Sequence, residues 1–163
     1  MKFEFVSNSE SETHRLGNAI GELLYRGCVV TLEGELGAGK TRLVQAIAAG
    51  LEIDPAGVNS PTYTICVPHE GRLLLLHIDA YRIKDLSEMD LLALDDHIED
   101  GAVLMIEWPS RVAAALPPVS IQINISHAGE STRRFELDGI SSDGQGLVKK
   151  LVELLTENVE TGD

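Results

Sequence analysis

"CVVTLEGELGAGKT", residues 28–41, decides how the rest of the chain is read. Cys28 to Leu32 is a short β-branched run, the pattern of a strand buried on both faces, and it ends at Gly34. Gly34, Glu35, Leu36, Gly37, Ala38, Gly39, Lys40 and Thr41 then fit G-x-x-x-x-G-K-[ST]. Each position has a physical task. The glycines permit positive φ and let backbone amides close around phosphates. Leu43, Val44, Ile47 and Ala48 mark a following helix that stops at Gly50, and a helix N-terminus favours anionic charge. Lys40 is placed to reach the β- and γ-phosphates, and the Thr41 hydroxyl to ligate magnesium. Strand, glycine loop and helix occur in the order a phosphate-binding loop requires. The stretch from Gly34 to Arg42 is therefore the candidate nucleotide-binding segment.

Working outward, residues 2–6 alternate as a strand with Phe3 and Phe5 on one face. Ser7 to Ser11 offer helix caps, and Leu16, Ile20, Leu23 and Leu24 recur at helical spacing. Downstream, Thr62 to Val67 and Arg72 to Ile78 read as a hairpin turned at Pro68-His69-Glu70-Gly71. One helix is expected from Ser87, with Leu86, Met89, Leu92 and Ala93 on a single side. Val103 to Ile106 reads as a buried strand. Val119 to Ile125 alternates, and Arg133 to Leu137 is suited to pair with it. Leu147, Val148, Leu151, Val152 and Leu155 form a last amphipathic helix, with a frayed tail after Glu157. The expected class is α/β: a single P-loop NTPase-like domain over residues 1–163, with a mostly buried mixed sheet flanked by helices.

A phosphate loop needs a carboxylate for magnesium. Leu73 to Asp79 is an apolar strand ending in one, the usual layout of the second motif in such proteins. His77 shares a strand face with Asp79 and reads as a packed or hydrogen-bonded histidine rather than a catalytic one. Ile106-Glu107-Trp108-Pro109 follows another apolar strand. If that strand neighbours the Leu32 and Ile78 strands, Glu107 arrives beside the phosphates and is able to orient water; otherwise it is a solvated acid beside an edge tryptophan. Asn59 to Tyr63 is either a loop facing the γ-phosphate or a plain turn. Arg82 and Arg111 are candidates to balance triphosphate charge or to form surface ion pairs. The guanine-reading N-K-x-D sequence is absent, which favours ATP.

Composition narrows the setting. Thirteen Lys and Arg face 26 Asp and Glu, a net charge of −13, so the surface repels nucleic-acid backbones and direct DNA or tRNA binding is not expected. Asp85, Glu88, Asp90, Asp95, Asp96, Glu99 and Asp100 concentrate that charge in a solvated helix face or a docking patch. Cys28 and Cys66 sit in apolar runs and read as buried reduced thiols. No apolar run reaches a membrane span and the N-terminus lacks a signal-peptide layout, so a cytoplasmic, non-membrane protein is expected.

"LEGELGAGKT", "NSPTYTI", "HIDAYRI" and "IEWPSR", in this order and spacing, resemble the TsaE (YjeE) family over roughly residues 10–137. "LPPVSIQINI" resembles a further family stretch. The loop alone is generic; its combination with the other three strings is specific. The resemblance implies an ATPase needed for threonylcarbamoyladenosine formation on tRNA. It implies TsaB and TsaD as protein partners, with tRNA reached only through them, and ATP and Mg2+ as ligands. It implies Lys40 as phosphate lysine, Thr41 and Asp79 as magnesium ligands, and Thr62 in a switch-like loop. Glu107 and Trp108 match the family's pair beside the nucleotide, and Thr13 lies in the segment near the adenine. Lys40, Asp79 and Glu107 are thus the candidate catalytic set. Three positions depart from the family pattern: Ala80 replaces a larger apolar residue, Ala93 a glycine and His97 an aromatic. Two alternatives stay open, a small-molecule P-loop kinase and a nucleotide-dependent binding module with negligible turnover.

Overall fold

Residues 1–59 and 64–160 are described by a computed structural model. Seven strands form one sheet: β1 (Lys2–Ser7), β2 (Val29–Gly34), β3 (Cys66–His69), β4 (Leu75–Asp79), β5 (Val103–Glu107), β6 (Ile121–His127) and β7 (Arg133–Gly139). Their spatial order is β1-β7-β6-β2-β5-β4-β3. The middle four, β6, β2, β5 and β4, are parallel, while β1, β7 and β3 join antiparallel at the flanks. The helices are α1 (Glu10–Leu23), α2 (Lys40–Gly50), α3 (Ser87–Asp90), α4 (Leu94–Glu99) and α5 (Ser142–Glu160).

Burial explains the layering. α1, α2 and α5 cover one face through Leu16, Ile20, Leu43, Ile47, Leu147 and Leu151, which pack on β-strand residues such as Val30, Leu32 and Phe135. On the other face, Met89, Leu94 and Val112 pack with Val29, Leu76, Ile78, Leu104 and Ile106. The strands β2, β4 and β5 are therefore apolar almost throughout, whereas β6 and β7 alternate buried and exposed residues. No helix among the described residues is long and apolar enough to cross a membrane.

α1 begins at Ser9, whose Oγ accepts from Glu12 N at 3.1 Å. It ends under Arg72, which donates to the carbonyls of Gly21 and Leu24 at 2.8 and 3.0 Å. α1 and α2 cross closely because glycines meet there. A Cβ at Gly21 would collide with the Ile47 carbonyl and lie 2.8 Å from Gly50 Cα.

Several expectations need correction. β3 runs through Pro68 to His69, so Pro68 pairs opposite Leu76 rather than starting the turn. This is tolerated because β3 is an edge strand, where a missing N–H breaks no central ladder. The single helix expected from Ser87 is two short helices, broken at Ala93 in the left-handed region with φ 48°. Helical backbone continues beyond Glu157 to Glu160, as Leu155 still packs in the core. Cys28 is buried, but Cys66 on the edge strand is only half-buried; both are free thiols. Thr62, with Ser60, Pro61 and Tyr63, lies outside the described residues.

Candidate functional site

The glycine loop turns at the C-terminal end of β2. Ala38 N donates to the Glu35 carbonyl at 3.0 Å, and Gly39, at φ 102°, is the N-cap of α2. Only a residue without a side chain adopts that φ cheaply. Gly39 has no side chain to cap the helix, and a helix N-terminus favours anionic charge. A cleft of about 440 Å³ opens there, lined by Gly37, Gly39, Lys40, Thr41, Asp79 and Glu107, among others.

The sheet delivers the two acids. β5 lies between β2 and β4, with Leu32 opposite Glu107 and Glu107 opposite Asp79. Both carboxylates thus end neighbouring parallel strands at the C-terminal edge of the sheet, where open α/β proteins bind ligands. Asp79 Oδ1 accepts from Tyr81 N at 3.0 Å. Burial raises the pKa of Asp79, and the Tyr81 amide opposes that shift. Glu107 is buried, and its Oε2 lies 2.5 Å from His77 Nε2, itself wholly buried.

Lys40 is 7% exposed. Its ammonium donates to the carbonyls of Gly34 and Glu35. It also sits 3.9 Å from the centroid of the Trp108 ring. Burial lowers its pKa, while Glu107, Glu33 and Asp79 pull the other way. Trp108 in turn meets Tyr81 with centroids 5.0 Å apart, and the Arg111 guanidinium lies 4.6 Å over Tyr81. Arg111 therefore stacks beside the cleft, and Arg82 lines it.

A second cleft, about 920 Å³, adjoins the other flank of the loop through Gly37, Ala38, Gly39 and Arg42. Thr13 lines it and exchanges a 2.7 Å hydrogen bond with Ser7. Arg42 stands on the shared rim and pairs with Glu10 at 3.2 Å. Thr13 and the loop thus share one continuous wall. Glu35 and Leu36 lie farther out on the loop, and Leu36 is exposed.

Two residues of this site carry no motif. Arg133, at the start of β7, donates to the Ala38 carbonyl at 3.2 Å and lines the larger cleft. Ser7 sits opposite it in the β1–β7 register. β6 pairs with both β2 and β7 and so brings Arg133 to the loop, while β1 pairs with β7 and so brings Ser7; no local spacing encodes the β2–β6 or β1–β7 pairing.

Oxygen donors fit a hard divalent cation in the smaller cleft. Thr41 offers a hydroxyl and Asp79 a carboxylate. Among the described residues no group of three or more His, Cys, Asp or Glu is arranged to hold a metal ion. This suits magnesium that arrives with substrate phosphates rather than in an all-protein cage.

A buried parallel strand, a glycine loop and a helix, set at the carboxyl edge of a mixed sheet, are the layout of P-loop NTPase-like proteins, and the chain has that fold. The crystal structure of Bacillus subtilis YdiB superposes on it with a TM-score of 0.78 at 28% identity, covering 94% of this chain and 95% of that one. The family model described as Threonylcarbamoyl adenosine biosynthesis protein TsaE matches residues 7–135. The chain is 38% identical over 130 residues to the tRNA threonylcarbamoyladenosine biosynthesis protein TsaE of Treponema pallidum, covering 80% of this chain and 96% of that protein. It is 36% identical over 141 residues to the protein of the same name from Bacillus subtilis, covering 86% and 87%. The chain belongs to the TsaE family.

Proposed function

We propose that residues 1–163 form one P-loop ATPase domain that hydrolyses ATP in support of threonylcarbamoyladenosine formation on tRNA. The observation that carries this reading is the register of Asp79 and Glu107 beside β2, with both acids in one cleft with Lys40. Glycine-loop amides and the α2 N-terminus bind the phosphates. Lys40 exchanges the Gly34 and Glu35 carbonyls for phosphate oxygens, which returns its charge to full use. Thr41 and Asp79 would hold magnesium, which would supply positive charge against the nucleotide's phosphates. Glu107 orients the attacking water and accepts its proton. Thr62 is assigned to the loop that senses the γ-phosphate. Trp108 packs along the nucleotide, and Thr13 and Arg42 line the nucleoside end.

TsaB and TsaD are the proposed partners, in the cytoplasm. A chain of net charge −13 is poorly suited to grip tRNA, but it can bind a protein that does. Few cations converge on the cleft, so hydrolysis by the isolated chain is slow and rises when a partner adds charge or order. Phosphate release is measured with and without the TsaB–TsaD pair. Lys40→Ala is expected to lose nucleotide binding or turnover, and Glu107→Gln to lose the stimulated turnover. Unstimulated rates, with no binding to either partner, would remove the proposal. Phosphate transfer to an acceptor faster than to water would replace it with a kinase.

A further inference from the structure

Glu107 is 2% exposed, yet its carboxylate lines the phosphate cleft. A buried carboxylate needs a hydrogen-bond donor to hold it in one orientation. The loop lysine is engaged elsewhere, on the carbonyls of Gly34 and Glu35. The donor that reaches Glu107 is His77, 2.5 Å away. The contact follows from the sheet. Asp79 pairs with Glu107 across β4 and β5, and His77 pairs with Met105, so His77 and Glu107 sit two residues out of register on one sheet face. As a carboxylate Glu107 can only accept, which puts the shared hydrogen on Nε2. His77 Nδ1 has no partner among the described residues, so the one polar contact found for the ring is the one to Glu107. The imidazole is wholly buried and does not line the cleft. Whatever it does for chemistry it does through Glu107.

We propose that His77 is a positioning residue: it holds one oxygen of Glu107 from inside the sheet, so that the other is presented to the attacking water. This rests on the water-orienting reading of Glu107 given above.

The test uses the full chain with the TsaB–TsaD pair. His77→Leu keeps volume without a donor, and His77→Gln returns an amide donor near the Nε2 position. Each is compared with Glu107→Gln and with the double variant His77→Leu/Glu107→Gln. His77→Leu is expected to lower kcat by about 10- to 100-fold, the range of a misplaced reacting group, with KM and ADP affinity within about twofold. His77→Gln recovers much of that loss. The double variant is no slower than Glu107→Gln alone, and its two neutral side chains keep it foldable if His77→Leu fails to fold. Wild-type kcat in His77→Leu overturns the proposal, as does a loss that appears in ADP affinity instead of kcat. So does a further fall of the double variant below Glu107→Gln. Full activity of Glu107→Gln defeats both this proposal and the reading beneath it. An inactive Glu107→Gln beside a fully active His77→Leu defeats this one alone.

Discussion

Trp108 holds a backbone conformation that its side chain should resist. Its φ of 57° lies in the left-handed region, which costs a non-glycine residue about 1–2 kcal/mol. Two contacts offset this. The Lys40 ammonium over the ring contributes about 0.5–2 kcal/mol, and the Tyr81 ring about 0.5–1.5 kcal/mol. On the proposed function, the first of these is lost when Lys40 turns to a phosphate. Because Trp108 is the sole tryptophan, its emission reports that step directly. Adding ATP or ADP with magnesium is expected to shift the fluorescence, and Lys40→Ala to abolish the nucleotide-dependent part. Nucleotide bound with unchanged emission would show that Lys40 keeps its place over the ring. Lys40, Thr41 and Asp79 were legible in the sequence because each closes a contiguous pattern. The His77–Glu107 contact was not, since it joins two strands whose neighbouring order no local spacing states. Arg133 was missed for the same reason.

At the scale of elements, the crossing of α1 and α2 ties the two clefts together. α1 carries Thr13 and α2 carries Lys40, and their separation is set where Gly21 meets Ile47 and Gly50. Gly21→Ala gains up to about 1 kcal/mol of helix propensity but drives a methyl group into backbone, which costs about 1–3 kcal/mol. Backbone has little room to yield, so the clash wins. The variant should be less stable in urea and bind nucleotide more weakly. Gly146→Ala on α5 is the comparison: nothing lies within 4 Å of a Cβ there, so stability rises by up to about 1 kcal/mol. Hydrophobic spacing made the long helices readable. It did not reveal the break at Ala93, because alanine carries no sign that its backbone will be left-handed. Pro68 misled for the opposite reason: a turn former is admitted to a strand once that strand lies at the edge.

For the molecule as a whole, burial of uncharged thiol and phenol groups sets an alkaline limit. Cys28 is pushed from an ordinary value of 9.0 up to about 11, chiefly by burial. Tyr25 is raised from 10.0, again chiefly by burial. Both are held neutral in the folded chain, while the unfolded chain ionises earlier. For Cys28 the associated stability is fully present below pH 9 and is lost as pH rises through about 11; Tyr25 adds a loss of the same sign. Urea unfolding between pH 8 and 11 should show this decline, and Cys28→Ala should flatten part of the slope. An unchanged slope would mean that the thiol is not shielded. The α/β class was legible from alternating strand and helix patterns, and so were the antiparallel pairs of β3 with β4 and β6 with β7, whose strands are neighbours in sequence; the pairing of β1 with β7 was not, since those strands lie at opposite ends of the chain.

That distance has a consequence during synthesis. Ser7 pairs with Arg133, and together with Thr13 they wall the larger cleft. The loop from Gly34 to Thr41 can form on β2 once β5 has been made, but β1 has no partner strand until β7 leaves the ribosome. The half of the site proposed to grip phosphate is therefore within reach of a nascent chain, whereas the half proposed to select a nucleoside is completed last. Closing that long-range pair is also the step most exposed to slow folding. A partly made chain would hold phosphates without discriminating what they are attached to.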